Sequence, residues 1–140
     1  MITQNLCTVF KTNLLKGVEN FNTGTSYVYK IALYTSSADL DASTTAYTTS
    51  SEVTGTGYTA GGETLTPTTI SNGGTTTAFV SFSNVTWNPA SFTTRGALIY
   101  NSTTGAAVAV LNFGEDKTAT NTFTVTFPTD NATNAIIRIS

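Results

Sequence analysis

The stretch Arg95–Phe113, RGALIYNSTTGAAVAVLNF, decides the fold. It reads as two strongly apolar strands, 95–101 and 106–113, joined at Ser102–Gly105 by residues that favour a tight turn. In the second strand Ala107, Ala109, Leu111 and Phe113 alternate with Val108 and Val110, so both faces are apolar and a central place in a sheet is expected. Upstream, Tyr27–Tyr34 (YVYKIALY) repeats the pattern. Tyr27, Tyr29, Ile31 and Leu33 share one side, and Val28, Ala32 and Tyr34 share the other with Lys30, which suits a strand covered on both faces.

Weaker strand signals surround these three. Glu63–Ile70 alternates but contains Pro67, which cannot donate to a ladder and moves the segment to a sheet edge or a bulge. Ser71-Asn-Gly-Gly74 is a hairpin signal leading into Thr75–Phe82, where Ala78, Val80 and Phe82 share a face. Val85 and Trp87 precede a turn at Asn88-Pro89-Ala90. Glu115, Asp116 and Lys117 are expected to form an exposed charged turn. Phe123, Val125 and Phe127 then alternate with Thr, and Ala135–Ile139 closes the chain. About six to eight strands joined by Gly, Asn and Thr turns predict a mainly β protein, an antiparallel two-sheet sandwich of jelly-roll or Greek-key type.

One helical signal precedes the strands. Leu6, Val9, Phe10, Leu14 and Val18 recur at spacings of three and four within residues 4–18, with Leu15 widening the stripe and Lys11 and Lys16 on the wet side. Thr3 or Asn5 can cap its start, and Gly17 with Asn20 marks its end. Such an N-terminal amphipathic helix either docks on its own sheet or reaches a neighbouring subunit. The chain therefore divides into a helix or arm, 1–21, and a sandwich domain, 22–140, entered through the turn-rich Asn22–Ser26.

Composition narrows the function. Of 140 residues only 10% are charged, with a net charge of −2, against roughly 25% charged residues in ordinary domains. Thr, Ser, Asn and Gly fill the difference and make a neutral, hydroxyl-rich surface. One Trp, six Tyr and eight Phe argue against disorder, and the Tyr and Trp content leaves open a carbohydrate- or host-binding module on a tail or fibre, since sugars stack on exposed rings. The six basic residues, Lys11, Lys16, Lys30, Arg95, Lys117 and Arg138, are scattered, so no nucleic-acid footprint is expected. No run approaches the ~18 apolar residues of a membrane span, and no basic-then-apolar leader opens the sequence, so synthesis as a soluble cytoplasmic product is expected.

Candidate chemistry is sparse. With no His and a single Cys7 inside the helical stripe, a nucleophile lacks a base, zinc and haem lack ligands, and neither cofactor nor metal is expected. Cys7 reads as a small buried hydrophobe. The carboxylates Asp39, Asp41, Glu52 and Glu63 lie in or beside the polar stretch Thr35–Leu65; paired acids can hydrolyse glycosides, but no aromatic and amide cluster accompanies these. Asp39 and Asp41 alternate as in a calcium loop yet lack its Gly and closing Glu, and read better as caps of a short turn. The stretch itself is far longer than the usual connection of about 4–6 residues, so it is functional or disordered. Tyr58, among glycines in EVTGTGYTAGG (52–62), either pins the loop to its own domain or anchors a contact to another chain, where Tyr is enriched.

The blocks YKIALYTSSADLD, EVTGTGYTAGGETL, RGALIYN, AVAVLNFG and the terminal AIIRI together resemble a family of small tailed-bacteriophage virion structural proteins, over nearly the whole chain. The resemblance implies a non-enzymatic part of a phage particle: a capsid cement or decoration protein, or a neck, tail or fibre-attachment component. Partners are then the major capsid protein or another virion protein, and copies of this chain, with a trimer expected from the threefold positions of a shell. The segments best placed to reach a neighbour are the helix and the polar stretch, which makes Leu6, Phe10, Leu14, Asp39, Asp41, Tyr47, Glu52 and Tyr58 the candidate interface residues.

Overall fold

The structure, a computed structural model, describes all 140 residues. Its centre is the hairpin β6 (Phe92–Asn101) and β7 (Ala107–Ala119), antiparallel with Leu98 opposite Val110. β2 (Tyr29–Tyr34) pairs antiparallel along the other side of β6, Ile31 facing Ile99. Two short strands complete this sheet, β1 (Asn5–Leu6) outside β7 and β3 (Glu63–Thr64) outside β2, in the order β1-β7-β6-β2-β3. Residues 31–34, 97–101 and 107–111 are buried. Strands apolar on both faces need cover on both faces, and these three have it.

Two smaller ladders supply part of that cover. β4 (Ala78–Val80) pairs antiparallel with β9 (Ile137–Ile139), and β5 (Val85–Trp87) with β8 (Phe123–Val125). On the far side of β4, single bridges join Ser71 to Phe79 and Pro67 to Phe82. The turn at 72–75 is closed by the Thr75 N–H on the Asn72 carbonyl at 2.8 Å, with Gly73 and Gly74 at positive φ. The protein is thus mainly β, with antiparallel ladders and one short helix. A chain of rings ties the ladders together: Phe10 to Phe21 (5.8 Å), Phe21 to Phe82 (5.8 Å) and Phe82 to Phe127 (5.5 Å).

The charged triplet Glu115–Lys117 does not end β7 as a turn; it lies within the strand. Between the pairs Gly96–Asn112 and Thr94–Lys117, β6 spends one residue and β7 spends residues 113–116, so the acids protrude as a bulge. The bulge carries Glu115 and Asp116 out of the pairing, and the ladder resumes where Thr118 and Ala119 face Thr93 and Phe92.

The helix is also shorter than its apolar periodicity predicts: α1 spans Thr8–Leu15. Residues 5 and 6 are taken by the pairing with Val110 and Ala109, so neither Thr3 nor Asn5 caps it, and Cys7 stands at the N-cap without a side-chain capping bond. Its end is a Schellman turn: the Val18 N–H reaches the Asn13 carbonyl and the Gly17 N–H that of Leu14, with Gly17 at φ +71°. With only about two turns, one position is fully buried, Phe10; Val9 and Leu14 are half-buried against the core, and Leu15 is 92% exposed. The segment packs on its own domain, held by the Cys7 N–H on the Val108 carbonyl and the Thr8 N–H on that of Ala42.

Candidate contact surfaces

The polar stretch 35–65 is an ordered clasp rather than a free loop. Its backbone is stitched to three places: the Thr35 N–H bonds the Ser51 carbonyl and the Val53 N–H that of Leu33; the Tyr47 N–H bonds the Gly105 carbonyl and the Ala107 N–H that of Thr45; the Ser91 N–H bonds the Thr56 carbonyl. The glycines make the approach possible. A Cβ on Gly57 would stand 1.7 Å from the Pro89 carbonyl oxygen, and one on Gly62 1.8 Å from that of Ile31, both at positive φ.

At the centre of the clasp is Glu52, 9% exposed. Its Oε2 accepts from the Tyr47 hydroxyl (2.6 Å), and its Oε1 from the Tyr58 hydroxyl (2.7 Å) and the Gly61 N–H (2.7 Å). The Tyr58 oxygen accepts in turn from the Leu33 N–H of β2 at 2.9 Å, so one ring links loop to sheet. The Tyr34 hydroxyl donates to the Thr48 carbonyl and that of Tyr100 to the Gly61 carbonyl, while the Tyr47 and Tyr100 rings stack at 4.7 Å. A buried carboxylate is tolerable when donors replace its water, and three do so here. Burial first, and then the bond to Glu52, push the Tyr47 and Tyr58 hydroxyls well above the usual tyrosine range.

A second buried glutamate fastens the linker. Glu19, 8% exposed, accepts at Oε2 from the Tyr29 hydroxyl (2.7 Å) and from Asn101 Nδ2 (3.2 Å). No local signal in the sequence singles out Glu19, because Asn101 lies 82 residues away.

The structure brings Tyr47, Glu52 and Tyr58 into one network and leaves the other candidates apart. Asp39 is exposed, 3.5 Å from the N-terminal ammonium. Asp41 caps its own turn, accepting at Oδ1 from the Ser43 N–H (2.7 Å) and hydroxyl (2.6 Å), and these bonds lower its carboxyl below the ordinary range. Glu63 is exposed on β3. The four acids thus sit in separate local structures, and no three metal-ligating side chains converge. Cys7 is fully buried, and burial pushes its thiol up to about 11. No helix is long and apolar enough to cross a membrane.

Phe10 is core, whereas Leu6 and Leu14 are half-buried beside a second kind of surface. Between α1 and the β4–β9 ladder runs a groove of about 120 Å³ lined wholly by apolar side chains, among them Phe10, Leu14, Phe79, Val80, Ile137 and Ile139. It opens beside Leu15, Ile139 and Ile70, the last two 52% and 45% exposed. The sequence hides this surface, because α1 and β9 lie at opposite ends of the chain.

Comparison with protein-family models, with curated proteins and with solved structures finds no match.

Proposed function

We propose that this chain is a non-enzymatic structural protein of a tailed-phage virion, specifically a capsid cement or decoration protein that stabilises the head through contacts to the major capsid protein and to copies of itself. The observation that carries the reading is the clasp. The carboxylate of Glu52 and the hydroxyls of Tyr47 and Tyr58 are bonded within the chain, and the exterior is Thr-rich and carries few charges. Such a surface suits burial against a repeating lattice, where a modest interface counts many times over. The resemblance in the sequence blocks points the same way. We further infer that the ladders form a two-sheet sandwich of jelly-roll or Greek-key type with an amphipathic N-terminal helix; the non-sequential strand order β1-β7-β6-β2-β3 supports the topology, and Phe10 buried beside an exposed Lys11 supports the two-sided helix.

A carbohydrate-binding module on the tail would need exposed ring faces. Trp87 is 2% exposed, and the exposed large hydrophobic residues include no aromatic.

Quantitative mass spectrometry of purified particles tests the proposal. Copies on the order of hundreds per particle are expected for cement, whereas about six or twelve would place the protein at the neck, tail or fibre attachment. Particles lacking it should release DNA at lower temperature, and unchanged heat resistance rejects the cement role.

A further inference from the structure

We propose that the open edge of β9 and the apolar groove beside it bind an extended segment of another protein, apolar at alternate positions and acidic between them. β9 is paired with β4 on one side only, and no strand covers its other edge. An edge of unpaired backbone groups is a template for strand addition. Ile137 and Ile139, two residues apart, share a face and line the groove with Phe10 and Leu14, so a strand laid along β9 would extend a face that is already apolar.

Charge selects the occupant. Lys11 and Arg138 border the groove, and Lys16 caps the end of α1. The three ion pairs of the protein, Met1–Asp39, Arg95–Asp116 and Lys117–Glu115, involve none of these cations, and no acid lines the groove. Arg138 bonds only the neutral Thr133 carbonyl. A second copy is a poor occupant: antiparallel pairing of the whole of β9, Ile137–Ile139, about a two-fold axis through its centre would set Arg138 against its own image, and like charges directly opposite destabilise a ladder. The arginine that guards the edge against self-association thus favours a strand carrying Glu or Asp. This inference uses the surface alone and goes beyond the virion reading; it holds wherever the protein works.

Two synthetic peptides of about nine residues provide the test, one alternating Val with Glu and one alternating Val with Lys, each titrated into the full-length ¹⁵N-labelled protein. The Glu peptide should shift amide signals of residues 137–140 and 8–15, bind about tenfold more tightly than the Lys peptide, and weaken as salt rises. The double variant Lys11→Glu, Arg138→Glu should reverse the preference, with an unchanged melting temperature showing that the exposed substitutions leave the fold intact. Equal binding of the two peptides, binding of neither, or shifts confined to other residues overturns the proposal. So does concentration-dependent self-association of the free protein through the same amides.

Discussion

Glu52, in the most polar stretch of the chain, is 9% exposed, whereas Leu15, in its most helical stretch, is 92% exposed. The clasp turns its polar groups inward and the α1–β9 region turns apolar groups outward. In the clasp, a carboxylate, two tyrosine hydroxyls and a backbone amide satisfy one another, so burial does not leave a donor or acceptor stranded. Around α1, an eight-residue helix on a single aromatic anchor offers too little inward face for all its leucines. Burial follows the partners within reach more than residue type.

The contrast breaks most directly at Glu52. Glu52→Ala strands three donors and should cost about 3–5 kcal/mol in urea unfolding; a loss under ~1 kcal/mol would make the clasp ornamental. Gly62→Ala forces a Cβ onto the Ile31 carbonyl and should cost about 2–4 kcal/mol, whereas Gly105→Ala, also at positive φ but in open space, should cost about 1–2 kcal/mol. Tyr58→Phe removes the hydroxyl bridging Leu33 and Glu52 and should cost about 1.5–3 kcal/mol. The same variant bears on the contact role: assembly lost in proportion to stability makes Tyr58 a pin, and assembly lost beyond it makes the ring a contact.

Alkaline pH should loosen the clasp gradually. The Tyr47 and Tyr58 hydroxyls have folded pKa values raised above their ordinary 10.0, and Cys7 is raised from 9.0 to about 11. Groups raised in the folded state contribute stability fully below their unfolded pKa, and the unfolded chain ionises first as pH climbs past it. Thermal midpoints should therefore hold to about pH 8.5 and fall from about pH 9 upward, with tyrosinate absorbance from these rings appearing together with unfolding. Ionisation of both rings in the folded protein would break the account. The smallest effect is expected at the other region: Leu15→Ser should change stability by less than about 0.5 kcal/mol, and a larger loss would mean that the exposed leucine is packed.

Much of the fold is legible in local pattern. The strands built on Ile31, Leu98 and Val110 announce themselves because period-two alternation with both faces apolar has few other uses, and the 71–74 hairpin follows from glycine's tolerance of positive φ. The bulge at 113–116 is not legible, since three charges in a row look like a turn whether or not the ladder resumes beyond them. The helix boundary is lost for a similar reason: Asn5 and Leu6 fit a helix by periodicity, and only the free edge of β7 draws them into a strand. At the candidate surfaces, the sequence points to Tyr58 through its setting among glycines and to Glu52 as one of four acids of the polar stretch, but leaves their direction open.

By itself, then, the sequence determined a mainly β, antiparallel, almost uncharged protein, because composition and period are properties of short segments. The tertiary structure alone decided that the polar stretch closes on Glu52, that Glu19 is buried against Asn101, and that an apolar groove lies between the first helix and the last strand. Each of these joins residues distant in the chain, and a residue's burial is set by the partners that folding brings to it.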